Sequence, residues 1–192
     1  RARCRAAVVT VGEGATCDWR LTDVALEDEG TTFELISPKG DWSGACRVNL
    51  LGRHNARNAA LAMAVAAELG LSREELDQGL QRCQPASMRM EMQTLGGVRI
   101  LNDAYNSNPD SLLAALETLE TFPTGGKRIA VLGDMAELGQ ASGSAHEEAG
   151  QLAARLGLSG LVAVGRWADT TVRAAQAAGL ANVAAFADVA VA

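Results

Sequence analysis

Long apolar runs are absent from this sequence, although 48% of its 192 residues are hydrophobic. No run approaches the roughly 18 consecutive apolar residues that a membrane-spanning helix needs, and no signal peptide opens the chain. The length is enough for one large domain or two small ones, each with a buried core. We therefore expect a cytoplasmic protein that does not insert into a membrane.

Aromatic and basic residues are scarce as well. Aromatic residues make up 4% of the chain, and 17 basic residues stand against 23 acidic ones, which gives a net charge of −6. Nucleic-acid-binding proteins usually carry a basic patch, and single-strand binders add aromatic side chains on which bases stack. The composition therefore argues against a nucleic-acid partner.

Cysteine pairs with the spacing of a metal site or a disulfide framework are missing too. Cys4, Cys17, Cys46 and Cys83 are far apart, with no Cys-x-x-Cys pair and no histidine nearby. Such cysteines are typical of buried or free thiols in a reducing compartment. We expect no protein-ligated metal in this chain.

The Gly-x-x-x-x-Gly-Lys-[Ser/Thr] loop that holds nucleotide phosphates is a further absence. Residues 125–128 have no hydroxyl residue after Lys127, and residues 12–16 lack the lysine. The chain also opens on Arg1 rather than on methionine. We interpret it as a segment of a longer protein.

Short alternating runs dominate the first fifty residues and are typical of β-strands separated by glycine-containing turns. The predicted strands are residues 6–11, 19–26, 32–36 and 46–50. Residues 55–69 are rich in alanine and predict a buried helix ended by Gly70. Ser72 and Glu75 form a capping box, which predicts a second helix through about Arg82.

From residue 98 onward, strands alternate with helices, which indicates a parallel sheet with right-handed crossovers. The predicted strands are residues 98–101, 128–132, 161–164 and 183–186, and the predicted helices are residues 109–121, 145–156 and 167–178. Asn108 and Pro109 supply the cap and first position of the first of these helices. We place a boundary between residues 85 and 97, and predict an α/β chain of two domains, residues 1–87 and 88–192, the second possibly truncated.

Two asparagines open the predicted buried helix. Asn55 and Asn58 are three residues apart, so their side chains share a face of the first turn. A carboxamide offers both a donor and an acceptor, which suits the edge of an adenine base. The alternative is that Asn55 only caps the helix, and the residues alone favour that alternative.

Arg89 lies near the predicted domain boundary. A guanidinium there could reach a terminal phosphate and stabilise the charge that develops during phosphoryl transfer. The commoner fate of an arginine is a surface ion pair, with Glu91 or with another carboxylate.

The segment after residues 98–101 is unusually polar. Five of its side chains can make specific hydrogen bonds: Asp103, Tyr105, Asn106, Ser107 and Asn108. In open parallel sheets, ligands bind outside the carboxyl ends of the strands, which is where this segment is expected. A cap for the next helix would need only Asn108 and Pro109, so the additional polar residues favour a binding role.

Together these motifs resemble those of the Mur ligases, ATP-dependent amide-bond ligases of bacterial cell-wall synthesis. In chain order they are Gly52-Arg53-His54-Asn55 with Asn58, Arg89-Met90-Glu91, residues 103–111 (Asp-Ala-Tyr-Asn-Ser-Asn-Pro-Asp-Ser), and residues 133–139 (Gly-Asp-Met-Ala-Glu-Leu-Gly) with His146 downstream. The last two point to the family member that joins D-alanyl-D-alanine to UDP-N-acetylmuramoyl-tripeptide. One departure is Ser87-Met88, where many members have a glycine close to the arginine.

The resemblance implies the end of a central ATPase domain followed by a C-terminal Rossmann-like domain. It implies that Asn55 and Asn58 contact adenine, that Arg89 is catalytic near the terminal phosphates, and that Asp103 contacts the nucleotide. The side chains it places near the phosphates or the substrate are Tyr105, Asn106 and Asn108. ATP and Mg²⁺ are implied, but the phosphate loop and the Mg²⁺ ligands of the family lie upstream of the matching residues, so we expect the chain alone to be inactive.

Two other functions stay open. A folylpolyglutamate synthase-type ligase shares the architecture and joins glutamate to a folate, although Tyr-Asn-Ser-Asn-Pro at residues 105–109 favours the cell-wall enzyme. The other alternative is a non-catalytic module that binds nucleotide or a protein partner.

Overall fold

The computed structural model describes residues 6–191, without the side chain of Val191. Arg1 and Cys4, which entered the predictions above, lie outside that range. The chain divides into two units, Arg1–Ile100 and Leu101–Ala192. Each unit has a hydrophobic core of its own.

A four-stranded sheet forms one layer of the first unit. Its strands, in spatial order, are β1 (Val11–Gly12), β2 (Trp19–Glu27), β3 (Gly30–Ile36) and β4 (Gly44–Val48). β2, β3 and β4 pair antiparallel, whereas β1 runs parallel to β2. The prediction of a strand at residues 6–11 is wrong for all but the last residue. The Asp18 carboxylate accepts the N–H of Thr10 at 2.8 Å, so a side chain takes the bond that a strand partner would make.

Two helices pack on this sheet. They are α1 (Arg53–Glu68) and α2 (Arg73–Gln81), and both were predicted to within two residues. The small alanines of α1 let the helix approach the sheet closely, and Ala56, Ala60 and Met63 are fully buried there. Gly70 follows α1 at φ +81°, a conformation that favours glycine at this position. The predicted capping box ahead of α2 is confirmed.

A two-stranded sheet comes next, made of β5 (Glu91–Leu95) and β6 (Val98–Asn102). Gly96 and Gly97 join the strands with φ of +57° and +81°, the geometry of a tight hairpin turn that needs positive φ at both positions. The expectation that residues 98–101 begin the parallel sheet is therefore wrong. Val98 is 63% exposed, which does not fit a strand covered on both faces.

The second unit contains the predicted parallel sheet. β7 (Ile129–Leu132), β8 (Gly160–Val164) and β9 (Val183–Phe186) pair in chain order. The helices are α3 (Pro109–Thr121), α4 (Ser142–Arg155) and α5 (Ala168–Ala177), and all three contribute to one core with the sheet. Asn108 caps α3 as predicted, since its side chain accepts the N–H of Ser111 at 2.9 Å.

Candidate functional site

The start of α1 is fixed by a buried hydroxyl. Thr31, which is fully buried, accepts the N–H of Gly52 at 3.1 Å and donates to the carbonyl of Leu50 at 2.8 Å. Gly52 has φ +109° and is the residue that precedes the helix. The alternative in which Asn55 caps α1 is therefore wrong, because Asn55 lies inside the first turn.

Asn55 and Asn58 are neighbours on one face of α1, in its first and second turns. The Nδ2 of Asn55 donates to the Leu51 carbonyl at 2.8 Å, which holds the half-buried side chain in place. The Nδ2 of Asn58 approaches the Oδ1 of Asn55 at 3.5 Å, and Asn58 is exposed. An ordered carboxamide beside an accessible one is an arrangement that could bind the edge of a base. Their contact with adenine stays a prediction.

Glu13 ties a neighbouring loop to the same turn. Its Oε2 accepts from the Nε and Nη2 of Arg53 at 2.9 and 2.6 Å, and its Oε1 accepts from the Nε of Arg57 at 2.9 Å. The hydrogen bond from Arg53, supported by Arg57, holds the pKa of Glu13 below its ordinary value. Glu13 lies in the glycine-containing turn at residues 12–14, and the sequence predicted no other role for it. An acid between two glycines was the signal available for it.

Arg89 is exposed and lies in a segment with unusual backbone geometry. Its N–H donates to the Ala86 carbonyl at 3.0 Å, and the N–H of Met88 donates to the Glu91 carboxylate at 3.0 Å. Met88 and Met90 both have positive φ, +55° and +50°. Met88 is thus in a conformation that favours glycine, close to where the resemblance expects one. A catalytic role for Arg89 stays a prediction.

The polar segment at residues 103–108 follows β6, which is outside the parallel sheet. Asp103 therefore does not lie at the carboxyl edge of that sheet, contrary to the expectation. Asp103 is half-buried, whereas Tyr105 is 59% exposed and Asn106 is exposed too. The side chain of Asn108 is engaged in the helix cap. Ligand contacts by these residues now rest on the resemblance alone.

The carboxyl edge of the parallel sheet instead presents two loops that are joined to each other. After β7, the Oδ2 and Oδ1 of Asp134 accept the N–H groups of Arg166 and Trp167, which follow β8, at 2.8 and 3.0 Å. Gly165 has φ +122°, and a Cβ there would lie 2.6 Å from the Asp134 carboxylate. Only glycine leaves room for this contact.

His146 holds the loop after β7 in place. It is 3% exposed, and its Nε2 accepts the N–H of Met135 at 3.0 Å. Its Nδ1 lies 2.6 Å from the carbonyl of Ser142, so Nδ1 carries the hydrogen, because a carbonyl can only accept. The ring stacks on Trp167, with centroids 5.6 Å apart. The guanidinium of Arg166 lies 5.4 Å from the centre of the same indole.

Sequence reasoning missed most of this edge. It noted Asp134 and His146 as parts of a motif, predicted Trp167 only as the start of a helix, and did not single out Arg166. The available signal was the sequence Gly-Arg-Trp directly after an apolar strand. The contact with Asp134 bridges more than thirty residues and has no local signature.

No metal-binding cluster is found within residues 6–191, where three or more His, Cys, Asp or Glu side chains would have to converge. The same residues include no helix that is long and apolar enough to span a bilayer.

Cys17, Cys46 and Cys83 are free thiols, and burial raises the pKa of Cys46 to about 11. A cavity of about 550 Å³ in the first unit lies beside the β5–β6 hairpin, and none of the predicted site residues lines it.

Two family models match the chain. The model of the Mur ligase middle domain matches residues 1–66, and the model of the Mur ligase, glutamate ligase domain matches residues 88–192. Together they cover most of the first helix, the Arg89 segment and the whole second unit.

Two similar curated proteins share one name. The UDP-N-acetylmuramoyl-tripeptide–D-alanyl-D-alanine ligase of Bacillus subtilis is 37% identical over 142 residues, which are 73% of this chain and 30% of that protein. The ligase of the same name from Mycobacterium tuberculosis H37Rv is 39% identical over 171 residues, or 83% of this chain and 32% of that protein. The chain thus spans about a third of the length of these curated relatives.

Solved structures agree with the sequence matches. A crystal structure of MurF from Acinetobacter baumannii superposes with a TM-score of 0.80 at 33% identity and covers 91% of this chain and 36% of that one. The MurF ligase of Thermotoga maritima in complex with ADP gives 0.70 at 22% identity, over 91% of this chain and 43% of that one, which shows a shared fold. The chain belongs to the Mur ligase family.

Proposed function

We propose that the chain is part of an ATP-dependent ligase that joins D-alanyl-D-alanine to UDP-N-acetylmuramoyl-tripeptide in the cytoplasm, for peptidoglycan synthesis. The observation that carries the proposal is the identity of 37–39% to enzymes of that name over 73–83% of the chain. A folylpolyglutamate synthase mutant from Lactobacillus casei shares the fold at only 18% identity. That likeness gives no support to the folate alternative.

The reaction proceeds by acyl-phosphate activation. ATP transfers its γ-phosphoryl group to the carboxylate of the UDP-linked tripeptide. The amine of D-alanyl-D-alanine attacks the carbonyl carbon, the new C–N bond replaces the C–O bond to phosphate, and phosphate and a proton leave. Side chains do little covalent work in such a reaction, so the chain would contribute positioning and charge neutralisation.

We assign roles to individual residues within this proposal. Asn55 and Asn58 bind the adenine edge, and their adjacency on one face at the start of α1 supports this role. Arg89 neutralises charge on the transferred phosphoryl group, and Asp103 contacts the nucleotide. Near the phosphates or the dipeptide we place Tyr105, Asn106 and Asn108. The described residues include no group of three or more His, Cys, Asp or Glu side chains that could hold a metal ion.

The proposal includes the domain limits. Residues 1–87 would end the central ATPase domain, and residues 88–192 would form most of the C-terminal domain. The start of the second family model at residue 88 supports this boundary.

Phosphate release tests the proposal. The ligase that contains this chain should release phosphate only when UDP-N-acetylmuramoyl-tripeptide and D-alanyl-D-alanine are both present, and the chain alone should release none. Turnover by the chain alone, or a preference for glutamate and a folate, would contradict it.

Arg89→Ala should lower kcat about 30- to 1000-fold, equivalent to about 2–4 kcal/mol, while the affinity for ATP changes little. The reason is that a contact made mainly in the transition state affects kcat rather than ground-state binding. Arg82→Ala is the matched control, since Arg82 is also an exposed arginine near the boundary. An unchanged kcat in Arg89→Ala would assign Arg89 to a surface ion pair.

A further inference from the structure

The amine substrate of the proposed reaction has a second charged end. D-alanyl-D-alanine uses its amine to form the new bond, whereas its carboxylate takes no part in the reaction. A carboxylate that leaves water without a partner is costly, and a guanidinium is the side chain best shaped to pair with it. An arginine is therefore a suitable partner for the dipeptide carboxylate in a binding site.

The second unit offers few cations, and only one lies where ligands bind. Its basic residues are Lys127, Arg128, Arg155, Arg166 and Arg173. Lys127 and Arg128 come just before β7, and Arg155 lies at the end of α4, which leads into β8. These three residues therefore lie at the amino edge of the sheet. Arg173 lies within α5. Arg166 directly follows the loop glycine after β8, at the carboxyl edge, where open parallel sheets bind their ligands.

Arg166 is also held in place before any ligand arrives. Its N–H donates to Asp134, and its guanidinium stacks on Trp167, which in turn stacks on the buried His146. Because these contacts order the side chain in advance, binding loses less conformational entropy.

The charge of Arg166 is available. Its side chain is exposed, and no carboxylate within residues 6–191 forms an ion pair with it. Arg53 and Arg73, by comparison, are both paired with acids of their own unit. A cation that is ordered, exposed and unpaired at a ligand-binding edge is suited to receive an anion.

We propose that Arg166 binds the carboxylate of D-alanyl-D-alanine and so selects a substrate with a free carboxyl end. The inference rests on the proposed function. Trp167 and Asp134 are positioning residues, since they order the guanidinium and the backbone of Arg166 without touching the dipeptide.

A substrate-and-residue cycle tests the contact in the ligase that contains this chain. D-alanyl-D-alanine is compared with D-alanyl-D-alaninamide, in which a neutral amide replaces the carboxylate, in the unaltered enzyme and in Arg166→Gln. We expect Arg166→Gln to raise KM for the dipeptide about 10- to 100-fold and to leave KM for ATP unchanged. For the amide, the two enzymes should have the same KM within about twofold.

Two further variants complete the design. Arg173→Gln removes the same charge from the neighbouring helix and should leave KM for the dipeptide unchanged. Arg166→Lys should recover part of the loss, because it keeps the charge but not the two-pronged geometry.

The outcomes separate the inference from the proposed function. Ligation by the unaltered enzyme with an unchanged KM in Arg166→Gln overturns the inference alone. So does an equal loss for the dipeptide and for the amide, or an equal loss in Arg173→Gln, because either would show a general effect on fold or charge. If the unaltered enzyme ligates neither substrate, the proposed function fails, and the assignment of Arg166 fails with it.

Discussion

Met88 has a backbone φ of +55°, where a side chain with a Cβ is strained and glycine is not. We expect Met88→Gly to be more stable than Met88→Ala by about 1 kcal/mol, because both lose the same packing and only alanine keeps the strain. Urea denaturation of the two variants measures the difference.

Ala62→Gly is the control for that comparison. Ala62 is exposed within α1, where glycine should cost about 1 kcal/mol relative to alanine. The two sites should therefore rank glycine and alanine in opposite orders. The same order at both sites would show that Met88 is not strained in solution.

Glu13 gives the chain a pH-dependent contribution to stability. Its pKa lies below the ordinary 4.5, because Arg53 and then Arg57 hydrogen-bond to the carboxylate. A depressed pKa in the folded state stabilises the fold above the unfolded-state pKa, and this contribution disappears as the pH falls through the folded-state value.

We therefore expect Glu13→Gln to destabilise the chain at neutral pH by less than about 1 kcal/mol, since the pairs are partly exposed. The difference from the unaltered chain should vanish in acid, which urea denaturation across the pH range would show. An NMR titration of Glu13 should show a larger rise in its pKa in Arg53→Gln than in Arg57→Gln. A difference in stability that persists below the pKa of Glu13 would contradict the ion-pair explanation.

At the scale of elements, α4 and α5 pack closely at one glycine. A Cβ on Gly150 would lie 2.1 Å from the carbonyl oxygen of Thr171 in α5, which is far inside contact distance. Gly150→Ala should force the helices apart and cost about 2–3 kcal/mol. Thermal or urea denaturation of the chain measures the loss.

Gly79 makes the matched comparison. It also lies inside a helix, α2, but a Cβ there meets nothing within 4 Å. Gly79→Ala should therefore stabilise the chain by about 1 kcal/mol through helix propensity alone. If both substitutions stabilised, the close approach of α4 and α5 would be disproved.

The helices could be predicted from the sequence because their signals are local. The capping box of Ser72 and Glu75 and the cap at Asn108 were both predicted, and both are present in the structure. The strand at residues 98–101 was placed in the wrong sheet. Gly96 and Gly97 signal a hairpin, but residues 91–95 carry too few apolar residues to have been recognised as its other strand.

In the candidate site, too, local contacts could be predicted from the sequence and long-range contacts could not. Asn55 and Asn58 were expected to be neighbours because three residues make almost one helical turn, and they are. The contact between Asp134 and Trp167 spans 33 residues and that between Glu13 and Arg57 spans 44. Such contacts depend on how the elements pack, which one sequence does not specify locally.

At the scale of the whole molecule, each unit has its own hydrophobic core, so each should be able to unfold by itself. We expect two transitions when denaturation is followed by probes placed separately in the two units. A single transition that coincides for both probes would show that the units fold cooperatively.

The ring stack around Trp167 gives the second unit an optical reporter. Trp19 and Trp42 are buried in the first unit with centroids 5.9 Å apart, whereas Trp167 is half-buried beside His146 and Arg166. With both first-unit tryptophans replaced by phenylalanine, the remaining tryptophan fluorescence would come from Trp167 alone. Its emission would follow the unfolding of the second unit, and it would change when a ligand pairs with the Arg166 guanidinium beside the indole.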